Sequence, residues 1–361
     1  MIKSSSVYSL VRWTLCWLSL LLSTFILQIQ ANSDLDAAQE KLTVTPCYID
    51  GIKTLLNCYN LRVPENYHDK KSKDTKVHFI VLPAIDSSKN KTPLMLLAGG
   101  PGQAAAELAA GINHVYSEVR KTHDIILIDQ RGTGKSQPLT CPKIRPDKTY
   151  QLTPEDFSDQ EVYDCINKIT ENLSPDSLQY YTSENAVRDF EQVRVALGHK
   201  KINIYGASYG TRTGLLYMRM FPKVIRSIIL DGVAPIEIPI GLFGRSSAHS
   251  FDLLVNHCQQ SISCQQAYPN LLSEFEQVVI KLEKSAITVT IPHPRLGNMT
   301  DFNISKAKFI GTIRQQLYAK NMRKLVPLVI HQAYLGNYLP LAGIIARTDG
   351  AEGMYIGLYF N

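Results

Sequence analysis

The chain has 361 residues, of which 45% are hydrophobic and 19% are charged, and this is the composition of an ordinary globular protein with a sizeable core. Lysine and arginine exceed aspartate and glutamate by 38 − 32 = +6. No cluster of basic residues stands out, which argues against a nucleic-acid partner. The length favours one large domain, or one domain with an insertion, over several small ones.

Residues 1–31 have the pattern of a secretory signal peptide. Lys3 and Arg12 give a positive start, residues 13–29 are mostly apolar and uncharged, and Ala31 supplies a small residue at a cleavage position. The alternative is a membrane anchor, because the apolar run approaches the length that spans a bilayer. The polar residues 32–34 favour cleavage, so we expect a secreted or periplasmic protein with no membrane contact afterwards.

The number and spacing of the cysteines are consistent with export. Cys16 leaves with the leader, and the other six fall into three local pairs. An even number in an exported chain predicts disulfides, although six cysteines allow 15 connectivities. The chain has no C-x-x-C motif and no histidine at ligand spacing from these pairs, which disfavours a metal site. We also expect no cofactor. The expected pairs are Cys47 with Cys58, Cys141 with Cys165, and Cys258 with Cys264.

The residues before 236 alternate between strands and helices. Short apolar runs bounded by glycine or proline predict strands buried on both faces, as in a parallel sheet. Two helices have clear ends, since Thr182 or Ser183 caps the first, Gly198 closes it, and Pro222 stops the second. The pattern predicts an α/β fold. Strands are expected at 77–82, 93–98, 125–128, 202–205 and 228–230, and helices at 183–197 and 211–221.

The character of the chain changes after residue 235. Apolar residues then recur at helical spacing, and only residues 287–291 have the pattern of a strand. We therefore divide the mature chain into the first part of an α/β core, residues 32–235, and a mostly helical insertion, residues 236–361.

The strongest chemical signal is the motif Gly-Ala-Ser-Tyr-Gly at residues 206–210. It follows a predicted strand and precedes a predicted helix, which is the setting of a nucleophile elbow. The sharp turn projects the hydroxyl of Ser208 above the sheet, beside the positive end of the helix dipole. We predict that Ser208 is a catalytic nucleophile rather than an idle serine in a tight turn.

A glycine-rich loop, Gly-Gly-Pro-Gly at residues 99–102, follows an earlier predicted strand. Such a loop supplies one backbone N–H to a substrate oxyanion, and the residue after the serine supplies the other. We expect Gly100 and Tyr209 to form the oxyanion hole. The alternative is an ordinary Gly-Pro turn.

Residues 129–136, Asp-Gln-Arg-Gly-Thr-Gly-Lys-Ser, imitate a nucleotide-binding P-loop. The first glycine of that motif is missing, because Asp129 stands in its place. We therefore predict a structural loop in which Asp129 and Arg131 make internal polar contacts.

Together these motifs, followed by Asp-Gly-Val-Ala-Pro at residues 231–235, resemble the proline iminopeptidase and tripeptidyl aminopeptidase family of α/β-hydrolases. The resemblance covers about residues 45–361 and implies an α/β-hydrolase fold, with a mostly parallel sheet and a helical cap. It also implies removal of one or a few residues from peptide N-termini, with acidic cap residues holding the free amine. Glu237 and Asp252 are available for that role, but solvated surface acids are the simpler interpretation. Ala98 departs from the family, in which many iminopeptidases have histidine.

The family order of the triad is serine, acid, histidine. The last residues, 354–361, resemble the end of the family's cap, so we expect the final strands, the acid and the base to lie beyond Asn361 and this chain alone to be poorly folded and nearly inactive. Asp231 is a weaker candidate for the acid, since some α/β-hydrolases place it there. No motif surrounds the candidate bases, which are His249, His257, His293 and His331.

Two other functions stay open. An exported esterase or lipase uses the same site chemistry on the same fold, and a truncated binding module would use none of it. An epoxide hydrolase or dehalogenase is disfavoured, because those enzymes place aspartate where this chain has Ser208.

Overall fold

We describe the protein from a computed structural model. The structure describes residue 36 and residues 39–89, 91–139, 159–171, 173, 175–239, 243–292 and 297–348. The predicted leader and the last residues, 349–361, lie outside this range. No helix within it is both long and apolar enough to cross a membrane.

Seven strands form the central sheet, and two further strands form a separate antiparallel hairpin. The sheet strands are β1 (Leu42–Cys47), β2 (Leu56–Pro64), β3 (Asp74–Leu82), β4 (Lys91–Leu97), β5 (His123–Ile128), β6 (Ile202–Ala207) and β7 (Ile225–Asp231), and the hairpin is β8 (Ile287–Pro292) with β9 (Met299–Ile304). The order in the sheet is β1-β2-β3-β5-β4-β6-β7. Strands β4, β5, β6 and β7 pair in parallel, whereas the pairs β1–β2, β2–β3 and β3–β5 are antiparallel.

Helices accompany the strands along the described chain. They are α1 (Ala109–Val115), α2 (Ser117–Arg120), α3 (Asp159–Glu171), α4 (Ser183–Ala196), α5 (Tyr209–Met220), α6 (Phe243–Gln260), α7 (Ile262–Ala267), α8 (Leu271–Lys284), α9 (Lys306–Gln316), α10 (Lys320–Arg323), α11 (Val326–Tyr334) and α12 (Leu339–Thr348).

These elements group into two compact units. The sheet unit contains β1–β7 with α1, α2, α4 and α5, and the helical unit contains α3, α6–α12, β8 and β9. The chain passes from the sheet unit to the helical unit between Ile236 and Glu237, and helix α3 also belongs to the helical unit.

The sheet unit buries apolar side chains on both faces of its central strands. On one face Phe79, Met95 and Ile126 pack with Phe190 of α4 and Tyr217 of α5. The other face packs against α1 and the residues that precede it. Because β4 and β5 are covered on both faces, each contains a continuous apolar run, Leu94–Leu97 and Ile125–Ile128, rather than an alternating pattern.

The edge strand β7 departs from that pattern. Residues 228–230 form a strand as predicted, but Ile229 is 59% exposed. Among the described residues β7 pairs with β6 only, so its outer edge is not covered by another strand. The expectation that this run is buried on both faces is therefore wrong.

The helix ends follow their sequence signals. Thr182 is the N-cap of α4, and its side chain accepts a hydrogen bond from the backbone N–H of Asn185. Gly198 follows the helix with φ of 72°, a left-handed conformation that glycine adopts without steric cost. Helix α5 ends at Met220, before Pro222.

The helical unit has its own core, which α6, α8, α9, α11 and α12 build with the hairpin. The predicted strand at 287–291 is present as β8, but β9 is not found by the sequence pattern. Its sequence, MTDFNI, carries only two fully buried side chains, Phe302 and Ile304. Such a strand is defined by its pairing with β8 rather than by a local apolar run.

Two of the three expected disulfides are present. Cys47 bonds Cys58 and joins β1 to β2, and Cys258 bonds Cys264 and joins α6 to α7. Cys165 is also disulfide-bonded. Its expected partner, Cys141, lies outside the described residues.

Candidate active site

Ser208 stands alone between β6 and α5, as a nucleophile elbow requires. The strand ends at Ala207, the helix begins at Tyr209, and Ser208 has φ of 54° and ψ of −121°. A positive φ at a residue with a side chain costs about 1–3 kcal/mol and persists only where the surrounding structure enforces it. The predicted sharp turn is therefore present, with the strain at the serine itself.

Two glycines allow this turn by bringing backbones into contact. A Cβ atom on Gly206 would lie 2.4 Å from the carbonyl oxygen of Gly210, and one on Gly210 would lie 2.1 Å from that of Leu97. No side chain fits at such distances, so the glycines allow β4, β6 and α5 to meet beneath Ser208.

Hydrogen bonds to its backbone fix the conformation of the elbow. The backbone N–H of Ser208 donates to the carbonyl oxygen of Asp231, at 2.9 Å. The hydroxyl of Thr211 donates to the carbonyl oxygen of Ser208 at 2.6 Å, and it accepts from the N–H of Ala234 at 2.8 Å. The turn is thus tied to the segment that follows β7.

The side chain of Ser208 is exposed, unlike its neighbours Tyr209 and Gly210. Within the described part of the chain, no group forms a hydrogen bond with its Oγ. A reactant in solution therefore has access to this hydroxyl from outside the sheet unit.

The glycine loop after β4 passes directly beside the elbow. A Cβ atom on Gly99 would lie 3.3 Å from the Cβ of Ser208. The loop is closed on itself, since the N–H of Gln103 donates to the carbonyl oxygen of Gly99 and the side chain of Gln103 accepts from the N–H of Gly99, both at 3.3 Å. The next amide, that of Gly100, has no acceptor among the described residues.

The side chain and the backbone N–H of Tyr209 have different roles. The ring is 3% exposed, and its hydroxyl lies 2.7 Å from Oγ of Ser183 and 3.4 Å from Nε2 of Gln130. Burial raises the pKa of the phenol, which keeps it neutral. The side chain thus anchors the start of α5, and the backbone N–H belongs to the first turn of the helix, next to Ser208.

Asp231 lies close to the elbow but is already engaged. Its Oδ2 accepts a hydrogen bond of 2.6 Å from the hydroxyl of Tyr205, and this bond raises the pKa of Tyr205. The carboxylate therefore orients a tyrosine, and no described histidine contacts it.

None of the candidate histidines of the described chain hydrogen-bonds Ser208. His331 lies in the helical unit, where its Nδ1 is 3.0 Å from Oε2 of Glu274. His249 and His257 are exposed residues of α6, and His293 lies outside the described residues. The two acids considered for amine binding, Glu237 and Asp252, are exposed.

The loop that imitates a P-loop is filled by its own side chains. Asp129 is 1% exposed, and its carboxylate accepts from the N–H of Ala106 at 2.9 Å and from that of Lys135 at 3.1 Å. A Cβ atom on Gly134 would lie 2.3 Å from that carboxylate. The space that a P-loop gives to phosphate is therefore taken by Asp129.

Arg131 of the same loop forms a buried ion pair with Asp189. Its Nε and one Nη each lie 2.7 Å from an oxygen of Asp189, and Tyr67 donates to that carboxylate at 2.7 Å. Burial lowers the pKa of Arg131 and the pair with Asp189 raises it, and the net shift is upward. The guanidinium also donates to the backbone carbonyl groups of Pro64, Glu65 and Tyr180.

Sequence reasoning missed Asp189, although a signal was available. The acid stands next to Phe190 on a helix whose apolar residues 187, 190 and 193 mark the buried face. A charged residue at the border of such a face needs a partner. The pattern did not show that the partner is Arg131, 58 positions earlier.

Comparisons with known proteins agree with this geometry. Residues 92–261 match the family model described as alpha/beta hydrolase fold. "Putative hydrolase YuaR" of Escherichia coli is 30% identical over 64% of this chain and 49% of the relative. Serine protease Hip1 of Mycobacterium tuberculosis is 27% identical over 57% of this chain and 42% of the relative. Tripeptidyl aminopeptidase of Streptomyces lividans is 30% identical over 40% of this chain and 29% of the relative.

The matched part of the chain thus spans about half the length of the first of these relatives and less of the others. The resemblance predicted from the glycine loop, the elbow and the Asp-Gly turn is confirmed. The matched region holds the strand–serine–helix arrangement in which those motifs were recognised. The sheet unit thus has the alpha/beta hydrolase fold, and over residues 92–261 the chain is similar to the family of that name. The proteins it resembles include one named serine protease and one named tripeptidyl aminopeptidase.

Proposed function

We propose that this protein is an exported serine peptidase that releases one or a few residues from peptide N-termini through an acyl-enzyme. The observation that carries the proposal is the exposed hydroxyl of Ser208 on a strained elbow, beside the backbone of the Gly99–Gly100 loop. The similarity to a tripeptidyl aminopeptidase and to a serine protease supports a peptide substrate.

The chemistry assigns a role to each group around the serine. Oγ of Ser208 attacks the carbonyl carbon of the peptide bond, and its proton passes to a base and then to the leaving amine. The carbonyl oxygen becomes an oxyanion, which the N–H groups of Gly100 and Tyr209 stabilise as hydrogen-bond donors. Water then releases the N-terminal fragment from the ester on Ser208.

The glycine loop is suited to this role for two reasons. The amide of Gly100 has no acceptor in the described protein, so an oxyanion does not compete with an existing bond. The strained turn and the closed loop fix the positions of both donors before substrate arrives, which is the condition for strong electrostatic stabilisation.

The test uses the protein purified from its natural gene. A fluorophosphonate probe should label Ser208, and a tripeptidyl-naphthylamide with a free N-terminus should be hydrolysed. Ser208→Ala should abolish both signals, and Ser273→Ala, which removes an exposed serine of the helical unit, should change neither.

Two further substrates separate the alternatives. An N-acetylated form of the same naphthylamide should resist cleavage if a free amine is recognised. Preference for a p-nitrophenyl ester over every peptide substrate would indicate an esterase. A folded protein whose Ser208 fails to react with fluorophosphonate would refute the hydrolase assignment itself.

A further inference from the structure

A groove of about 440 Å³ lies in the sheet unit, on the strands at one edge of the sheet. Strands β1, β2 and β3 form its floor, and the loop that follows β5 forms a wall. The candidate active site does not include any of its residues. Its principal lining residues are Thr45, Asn60, Lys76, His78, Lys135 and the Cys47–Cys58 disulfide.

A buried histidine in this groove lacks a hydrogen-bond partner on one nitrogen. His78 is 2% exposed, and its Nδ1 lies 3.0 Å from Oδ2 of Asp129, whereas its Nε2 has no partner. Because the carboxylate only accepts, Nδ1 carries a proton, and the neutral tautomer with that proton presents Nε2 as an acceptor. A buried acceptor without a partner costs about 1–3 kcal/mol, so a ligand with a donor stabilises this site.

A second unpartnered group faces the same way. Asn60 and His78 are directly opposite each other in the antiparallel pair β2–β3, so their side chains share one face. The side-chain oxygen of Asn60 is buried and has no hydrogen-bond partner. The two orphaned polar groups are therefore neighbours, and one ligand can reach both.

The charge of the groove selects the class of ligand. Lys76 precedes His78 by two residues on the same face of β3, and Lys135 stands on the wall. Both lysines are exposed, and no described carboxylate pairs with either ammonium group. The buried Asp129 is already bonded to Ala106, Lys135 and His78. The accessible charge is positive, which disfavours a cation and favours an anion.

We propose that this groove binds free hydrogen phosphate. Lys76 and Lys135 pair with the anionic oxygens, and the P–OH hydroxyl donates to Nε2 of His78. With its amide flipped so that Nδ2 takes the place of the unpartnered Oδ1, Asn60 donates to a further phosphate oxygen. Hydrogen phosphate carries both the negative charge and the donor that these groups require, whereas sulfate at neutral pH has no donor for Nε2.

The experiment measures binding of inorganic phosphate by titration calorimetry at constant ionic strength, with glycerol 2-phosphate and sulfate as parallel ligands. Lys76→Gln and Lys135→Gln should each weaken phosphate binding by about tenfold, the loss expected for one charge-assisted bond. Both lysines are exposed, so these variants should fold normally. Lys320→Gln removes the same charge from the helical unit and should have no effect.

A second measurement tests the role of the histidine. The ¹⁵N chemical shift of Nε2 in His78 should move when phosphate binds to the unmodified protein, a change that a merely structural residue would not show. At neutral pH the dianion of glycerol 2-phosphate has no P–OH hydroxyl, so it should bind no more tightly than sulfate. Sulfate binding as tight as phosphate binding, or phosphate binding that survives the loss of both lysines, would overturn the proposal.

Discussion

Two turns at the same end of the sheet unit carry similar sequences and opposite chemistry. The elbow follows β6 and the Asp129 loop follows β5, and both combine glycines with a serine. Ser208 is exposed and its hydroxyl has no partner in the described chain. Ser136 is fully buried, and its hydroxyl donates to the carbonyl of Asp129 and accepts from the N–H of His78.

The difference distinguishes a catalytic motif from a motif that only stabilises the fold. A structural loop satisfies its polar groups internally, because buried groups without partners are costly. At the elbow, by contrast, the hydroxyl of Ser208 and the amide of Gly100 have no hydrogen-bond partner among the described residues. Backbone contacts fix the positions of both groups. Variants in the two regions should therefore separate activity from stability.

The largest expected effect is on catalysis at the elbow. Ser208→Ala should lower kcat by a factor on the order of 10⁶, the scale seen when a triad nucleophile is removed. The free energy of unfolding should change by less than about 0.5 kcal/mol, because the side chain is exposed. Naphthylamide hydrolysis and urea unfolding of the protein purified from its natural gene measure the two quantities.

Ser208→Gly sharpens the same test. Glycine adopts the positive φ of this turn without strain, so the variant should be inactive and about 1 kcal/mol more stable than the wild type. A variant that is less stable than the wild type would show that the elbow is not strained.

The next effect is on stability at the Asp129 loop. Arg131→Met removes one partner of a fully buried ion pair and should cost about 3–5 kcal/mol. The double variant Arg131→Met/Asp189→Leu removes both charges and should recover much of that loss. Fluorophosphonate labelling of the folded fraction should be unchanged in both proteins, and a large change would place the pair in the catalytic machinery.

An intermediate variant should affect both properties. Gly210→Ala places a methyl group 2.1 Å from the carbonyl oxygen of Leu97, so α5 must shift. We expect a loss of about 1–3 kcal/mol and a fall in kcat of about 10², because the nucleophile moves with the helix. Gly214→Ala is the matched control on the same helix, since its Cβ would meet only side-chain tips at 3.1 Å or more.

The smallest effect concerns pH. Burial lowers the pKa of His199 from its ordinary value of 6.5. The unfolded chain then binds this proton more readily than the folded one, so stability should fall as the pH drops below about 6.5. His199→Gln should flatten this part of the stability profile, as measured by thermal unfolding between pH 7 and pH 5. A profile that is unchanged would show that other groups control it.

Local signals account for what the sequence predicted well. The elbow, the cap of α4 and the end of α5 depend on residues within one turn of each other, so Ser208, Thr182 and Pro222 identified them. Two disulfides followed from cysteines that are 11 and 6 positions apart. The predicted fold class is confirmed for the same reason, since alternating apolar strands and helices are local patterns.

Distant contacts account for the rest. Strand β1 has no buried residue, and it exists through its pairing with β2. Tyr205 and Asp231 come from adjacent parallel strands, and their hydrogen bond joins positions that are 26 apart. The pair of Arg131 with Asp189 depends on how α4 packs against the loop after β5. The groove around His78 depends on which strands become neighbours. No short window of sequence contains either contact.

The glycine frame around Ser208 has a practical consequence for redesign. The contacts that set the turn come from backbone atoms of three elements, and Gly206 and Gly210 contribute no side chain to them. The reactive group can therefore be exchanged while its position is kept. Ser208→Cys would place a thiol at the same point above the sheet, and one scaffold would then allow the chemistry of two nucleophiles to be compared.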